Sequence, residues 1–83
     1  MTQYLIMSRS LTNAQRVSRL LEQSGIRATV VKAPQQLRGN GCGYALALKR
    51  SFPEAVRILR DQNLLFGKLY EKAADGEYTE AFL

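Results

Sequence analysis

Residues 39–54 read GNGCGYALALKRSFPE, which joins a glycine-rich turn, an apolar strand and the start of a helix. Tyr44–Lys49 has the length and apolar content of a buried strand. Ser51-x-x-Glu54 has the form of a helix capping box, and the proline between these residues is acceptable in a first helical turn. This stretch therefore predicts a loop, a strand and a helix in direct succession.

The chain on either side supplies the same kinds of element. Ahead of the loop, Thr12-x-x-Gln15 is a second capping box, and Gly25 is a typical helix stop. We predict strands at Gln3–Ser8, Arg27–Lys32, Tyr44–Lys49 and Gly67–Ala73, helices over residues 12–24 and 52–63, and a loop over 33–41.

This order is strand, helix, strand, strand, helix, strand. Two βαβ units with right-handed crossovers give the ferredoxin-like βαββαβ plan of the α+β class. It has a four-stranded antiparallel sheet with two helices on one face. We expect one α+β domain over residues 1–74 and an acidic tail over 75–83. Tyr78 and Phe82 stand four residues apart, which leaves two alternatives for that tail, a short docking helix or a loose segment.

Composition excludes several classes of function. The 83 residues are 46% apolar and 23% charged, which suits one small globular domain. There is no histidine and one cysteine, so no Ser-His or Cys-His pair can form and a metal site is not expected. No cofactor motif was found. The apolar runs are too short for a membrane span or a signal peptide, and we expect a cytoplasmic protein.

Charge is unevenly distributed along the chain. Residues 1–70 hold 11 basic and 3 acidic side chains, whereas residues 71–83 hold 1 and 4. A basic body attracts anions such as nucleic acid, an acidic partner or a phosphorylated small molecule. A solubilising surface with an acidic tail explains the same pattern.

Cys42 is the residue with the most distinctive chemical surroundings. Gly41 and Gly43 leave its thiol accessible and supply backbone N–H groups that favour an anion. Cationic side chains close in sequence would raise the fraction present as thiolate, the reactive form. Arg38 is the first candidate, and Lys32, Lys49 and Arg50 are the others, although a strand after Cys42 would carry Lys49 and Arg50 away from it. A lone thiol suits a carrier better than disulfide exchange, although free cysteines often only pack in a core.

Two alternatives use the sheet rather than the thiol. The RNA recognition module has the same order of elements, but only Gly43, Tyr44 and Ala45 match its third-strand signature. The basic charge keeps a nucleic-acid-binding module open. Ala45 and Ala47 would leave a flat, weakly apolar surface on the uncovered face, which suits a second copy of the chain or another interaction partner.

Gly41-Cys42-Gly43, the Pro34–Leu37 loop and the strand after them resemble the selenium/sulfur carrier-like family of small bacterial proteins. The resemblance covers roughly residues 3–72. It implies that Cys42 holds sulfur as a persulfide, or selenium as a selenosulfide, and passes it between a donor and an acceptor protein. Such a protein is a carrier rather than a self-contained enzyme. The Cys-Pro-x-Pro motif of better-understood sulfur carriers is not found here.

Overall fold

Apolar residues alternate along the strands and recur at helical spacing between them, which produces an α+β fold. The computed structural model describes residues 3–8, 10–38, 43–64 and 66–81. The strands are β1 Gln3–Met7, β2 Thr29–Lys32, β3 Tyr44–Leu48, β4 Leu69–Lys72 and β5 Tyr78–Ala81. The helices are α1 Leu11–Gln23, α2 Gln35–Arg38 and α3 Phe52–Asp61.

Within the described residues the five strands form one sheet in the order β2-β3-β1-β4-β5. Every neighbouring pair is antiparallel. The α+β class and the antiparallel sheet are confirmed. The four-stranded ferredoxin-like layout is not matched as predicted, because a fifth strand extends the sheet beyond β4.

The fifth strand corrects the prediction for the tail. Residues 78–81 pair with β4, where Lys72 lies opposite Tyr78, and they do not form a docking helix. The turn between the strands contains Gly76 at φ 90°, a conformation that glycine adopts without strain. The helical spacing of two aromatic residues is only weak evidence for a helix. The edge of β4 has backbone N–H and C=O groups without partners, and a strand formed by residues 78–81 satisfies them. Phe82 lies outside the described residues.

The sequence patterns predicted both long helices correctly, but they misassigned how the first turn of each helix is capped. Ser10 caps α1 in place of the predicted Thr12, and its Oγ accepts the Asn13 N–H at 3.1 Å. Ser51 does precede α3, but it is left-handed, with φ 59°, and its side chain makes no capping bond. A capping serine needs extended backbone, which Ser51 lacks. Gly25, at φ 83°, ends α1 as predicted.

The predicted loop over 33–41 contains a further helical turn, α2. It follows Pro34, whose carbonyl oxygen accepts the Leu37 N–H at 2.9 Å. Leu37 is half-buried and packs against the sheet, which supplies the apolar contact that an isolated turn of helix needs. The prediction missed α2 because four residues are too few to show helical periodicity.

The sheet has two differently covered faces. The helix-covered face packs against α1 and α3, and its side chains include Ile6, Leu46 and Leu48. Tyr4 stacks on Phe52 there, with ring centroids 4.4 Å apart. The open face carries the alternate residues of each strand. Its members include Leu5, Met7, Val31, Ala45, Ala47, Tyr70 and Tyr78.

The predicted facing of β3 is confirmed, but the predicted bare surface is not. Leu46 and Leu48 are buried on the helix-covered face, and Ala45 and Ala47 lie on the open one. Ala45, however, is 0% exposed, whereas Ala47 is half-buried. Leu37 of α2 packs on the cluster that contains Ala45, so only part of the open face is uncovered.

Candidate functional site

The candidate site lies at the end of the sheet where β3 begins, here called the Gly43 end. Cys42 and Gly41 lie outside the described residues. Gly43, the residue bonded to Cys42, is half-buried, and its carbonyl oxygen accepts the Ala33 N–H at 2.7 Å. The strand that follows lies between β1 and β2 in the sheet. The backbone on the C-terminal side of Cys42 is therefore fixed by strand pairing on both sides.

Ser8 joins the start of α1 to this end of the sheet. Its backbone N–H donates to the Tyr44 carbonyl oxygen at 3.1 Å. Its side chain is buried, and its Oγ lies 2.8 Å from both the Ser10 carbonyl oxygen and Asn13 Oδ1. Ser8 thus links the end of β1 to the start of α1 through its hydroxyl and to the first residue of β3 through its backbone N–H.

Sequence reasoning missed Ser8, which was assigned only as the last residue of a strand. A signal was available in its spacing. Ser8 and Ser10 stand just before a helix, and hydroxyl side chains in that position often bond local backbone. The first turn of α1, which begins here, contains no acidic residue.

Lys32 is the predicted cation that the structure places at the Gly43 end. It lies opposite Tyr44 in the pairing of β2 with β3, and its side chain is exposed. Because β2 is an edge strand, Lys32 stands between the sheet and solvent. Arg38 closes α2 in the same connection, and its backbone alone is described.

Lys49 and Arg50 lie at the opposite end of β3. Gly43 and Lys49 flank the five residues of β3, and this extended span corresponds to roughly 20 Å. The structure therefore does not bring these two cations to the Gly43 end, although they stand close to Cys42 in sequence.

Lys49 and Arg50 instead border an open depression of about 810 Å³, here called the basic depression. Arg27 is its third cation. Its floor comprises alternate residues from the edge of the sheet, and the lining residues that matter here are Gln3, Arg27, Val31, Ala47, Lys49 and Arg50. Sequence reasoning named two of these cations but missed Arg27, which precedes the strand that lies beside them.

The described residues also bear on metal sites, membrane spans and aromatic platforms. Across residues 3–8, 10–38, 43–64 and 66–81, no group of three or more acidic or cysteine side chains could hold a metal ion. No helix in this part of the chain is long and apolar enough to cross a membrane. Tyr44 shares its face with the buried Leu46 and Leu48, so β3 lacks the aromatic platform of an RNA recognition module.

Comparison with known protein families identifies a family for this chain. The family described as "Putative Se/S carrier protein-like" matches residues 3–71. The matched region begins at β1, includes Cys42 and the Gly43 end, and ends within β4. Comparison with curated proteins and with solved structures gave no match.

Proposed function

This chain belongs to the Se/S carrier-like family, and we propose that it carries a sulfur or selenium atom on Cys42 between two partner proteins. The family match carries the proposal, because it spans the only cysteine in the sequence. With no histidine in the chain, Cys42 lacks the usual base of a nucleophilic enzyme. The partners therefore supply the remaining catalytic groups.

The proposed chemistry is an exchange of one sulfur–sulfur bond for another. The Cys42 thiolate attacks the outer sulfur of a persulfide on the donor protein. A bond forms between Cys42 Sγ and that sulfur, the donor's bond breaks, and the donor leaves as a thiolate. A nucleophile on the acceptor then takes the outer sulfur and releases Cys42 as a thiolate. No external oxidant is needed, and a selenium atom follows the same course from a selenium–sulfur bond.

Residues of the Gly43 end support this role by position and charge. Gly43 is held in the sheet by the Ala33 N–H, so the attachment point of Cys42 does not depend on the partner. Lys32, exposed beside Tyr44, and Arg38, at the end of α2, are the proposed cations that favour a thiolate or persulfide anion. Gly41 and Gly43 are proposed to leave room for the partner's reacting group.

A single cysteine also argues for carriage over thiol–disulfide exchange. A protein that oxidises or reduces disulfides by itself needs a second thiol to resolve the mixed disulfide. This sequence has none. A persulfide on one cysteine can instead be passed on by attack from outside, which requires no second thiol in the carrier.

Loading of the purified protein with sulfur tests the proposal. The reduced protein is incubated with a small-molecule persulfide, freed of the reagent and weighed by mass spectrometry. We expect the mass of one added sulfur atom, which is lost on reduction and absent from Cys42→Ser. We also expect Cys42 to be alkylated faster in the folded protein than in the same chain unfolded in guanidinium chloride at the same pH.

Ser10→Ala serves as a matched control, because it removes a hydroxyl near the Gly43 end but leaves the thiol. That variant should load sulfur as the wild type does. Equal loading of Cys42→Ser and wild type would refute a carrier role for Cys42. So would a thiol that reacts only after the protein has unfolded.

A further inference from the structure

We infer that the basic depression is the surface on which a partner protein docks through an acidic segment. The inference rests on the proposed function, because a carrier must bind its donor and its acceptor. It adds a binding site at the end of the sheet away from Gly43. The occupant is an acidic stretch of polypeptide.

A cluster of exposed positive charge is the first observation. Arg27, Lys49 and Arg50 are all exposed, and no carboxylate is among the described residues that line the depression. The ion pair Lys68–Glu80 lies away from the depression, between the residue that precedes β4 and a residue of β5. A cluster of three exposed cations attracts an anionic ligand and steers its approach.

The floor of the depression is the second observation. Val31 and Ala47, both half-buried, provide an apolar surface, and Gln3 and Thr29 place polar side chains beside it. This mixture suits a polypeptide segment in which acidic side chains alternate with apolar ones. Among the described residues that line the depression there is no aromatic ring. Single-stranded nucleic acids are held largely by stacking of bases on such rings, so the lining favours protein over nucleic acid.

The basic depression and the Gly43 end are close enough for one partner protein to contact both. Lys49 and Gly43 stand roughly 20 Å apart along β3. A standard protein interface buries about 800 Å² on each partner, a patch roughly 28 Å across. A partner anchored at the depression can therefore also reach Cys42. Donor and acceptor would occupy the same surface in turn, which prevents both from binding at once.

Mapping the binding of an acidic peptide tests the inference. The probe is a short peptide in which glutamate and valine alternate, titrated into ¹⁵N-labelled full-length protein. We expect saturable shifts of backbone amide signals concentrated at residues 27–31 and 47–51. Combined Lys49→Glu and Arg50→Glu substitutions should weaken binding about tenfold, because two attractions become repulsions.

A matched variant separates this surface from net charge alone. Arg16→Glu with Arg19→Glu changes the net charge equally, on exposed positions of α1 over the other face of the sheet. It should change the affinity by less than about twofold, since exposed charges at that distance are screened by salt. An equal loss in both double variants would overturn the inference. Shifts spread over the whole surface would do so as well.

Two further measurements distinguish this inference from the proposed function. Cys42→Ser should bind the peptide as tightly as wild type, and the Lys49→Glu, Arg50→Glu variant should still load sulfur from a small persulfide. Melting curves confirm that each variant is folded. Titration with single-stranded RNA of roughly a dozen nucleotides tests nucleic acid as the alternative ligand. If the RNA binds at these amides and the peptide does not, the acidic-segment inference is wrong.

Discussion

The helix-covered face of the sheet buries many apolar side chains beneath α1 and α3, whereas the open face buries only a few, half of them alanines. Neighbouring residues of β3 show the contrast. Leu46 and Ala45 are both 0% exposed, yet they point to opposite faces. The leucine side chain has three more heavy atoms than the alanine side chain. The helix-covered cluster also contains more buried residues than its open-face counterpart.

The helix-covered face mainly stabilises the fold, whereas the proposed functional surfaces lie where packing is thinner. Burial of apolar surface stabilises a fold in proportion to the area removed from water, so the helix-covered face contributes the larger share. The open face is covered near Gly43 by Leu37 and left open at the basic depression. Both proposed functional surfaces thus lie where the packing layer is thin or incomplete. The largest energetic effects are accordingly expected on the other face.

Leu46→Ala should have the largest effect on stability. It leaves a cavity under two helices that cannot close around it, and the expected loss is about 2–5 kcal/mol in the free energy of unfolding. Urea unfolding followed by circular dichroism measures it. A loss of less than about 1 kcal/mol would mean that the helix-covered face repacks easily, and the contrast between the faces would fail.

Ala45→Leu tests the packing of the open face with an intermediate effect. A leucine has no room beside the covered Ala33 and Met7, so we expect a loss of about 1–3 kcal/mol. Ala47→Leu is the matched control, because Ala47 lines the basic depression and is half-buried. It should cost clearly less in the same unfolding measurement. Equal losses would show that the two ends of the open face are equally packed.

Glu80→Gln should have the smallest effect. It removes the ion pair with Lys68, whose Nζ lies 3.9 Å from Glu80 Oε1 on exposed side chains. We expect a loss below about 1 kcal/mol that shrinks further in high salt. Thermal unfolding of both proteins at low and high salt measures the difference. A larger loss, or one that salt does not reduce, would mean that charge on the open face stabilises the fold more than packing does.

Much of the fold was predictable because its signals are local. Strand alternation, helical spacing and Gly25 placed the first four strands and both long helices to within a few residues. What failed depends on distant parts of the chain. β5 forms because β4 offers it an unpaired backbone, and α2 because Leu37 finds an apolar surface. Neither the partner strand nor the surface is visible in the local sequence.

The candidate site was predictable in chemistry but only partly in geometry. The family was identified correctly from the glycine-bracketed cysteine and its neighbours. The predicted strand after Cys42 already implied that Lys49 and Arg50 lie away from it, because an extended strand moves successive residues apart by about 3.3 Å each. Arg27, far from them in sequence, lines the same depression since antiparallel pairing of β2 with β3 brings it there.

The fifth strand has a consequence for how the protein behaves at high concentration. β5 lies beyond the residues that match the family, and it pairs with the otherwise unpaired side of β4. Open strand edges promote aggregation by pairing with the edges of other molecules, and charged side chains on an edge oppose this. β5 replaces the edge of β4 with one that carries the exposed Glu80. We therefore expect the added strand to reduce aggregation through that edge of the sheet.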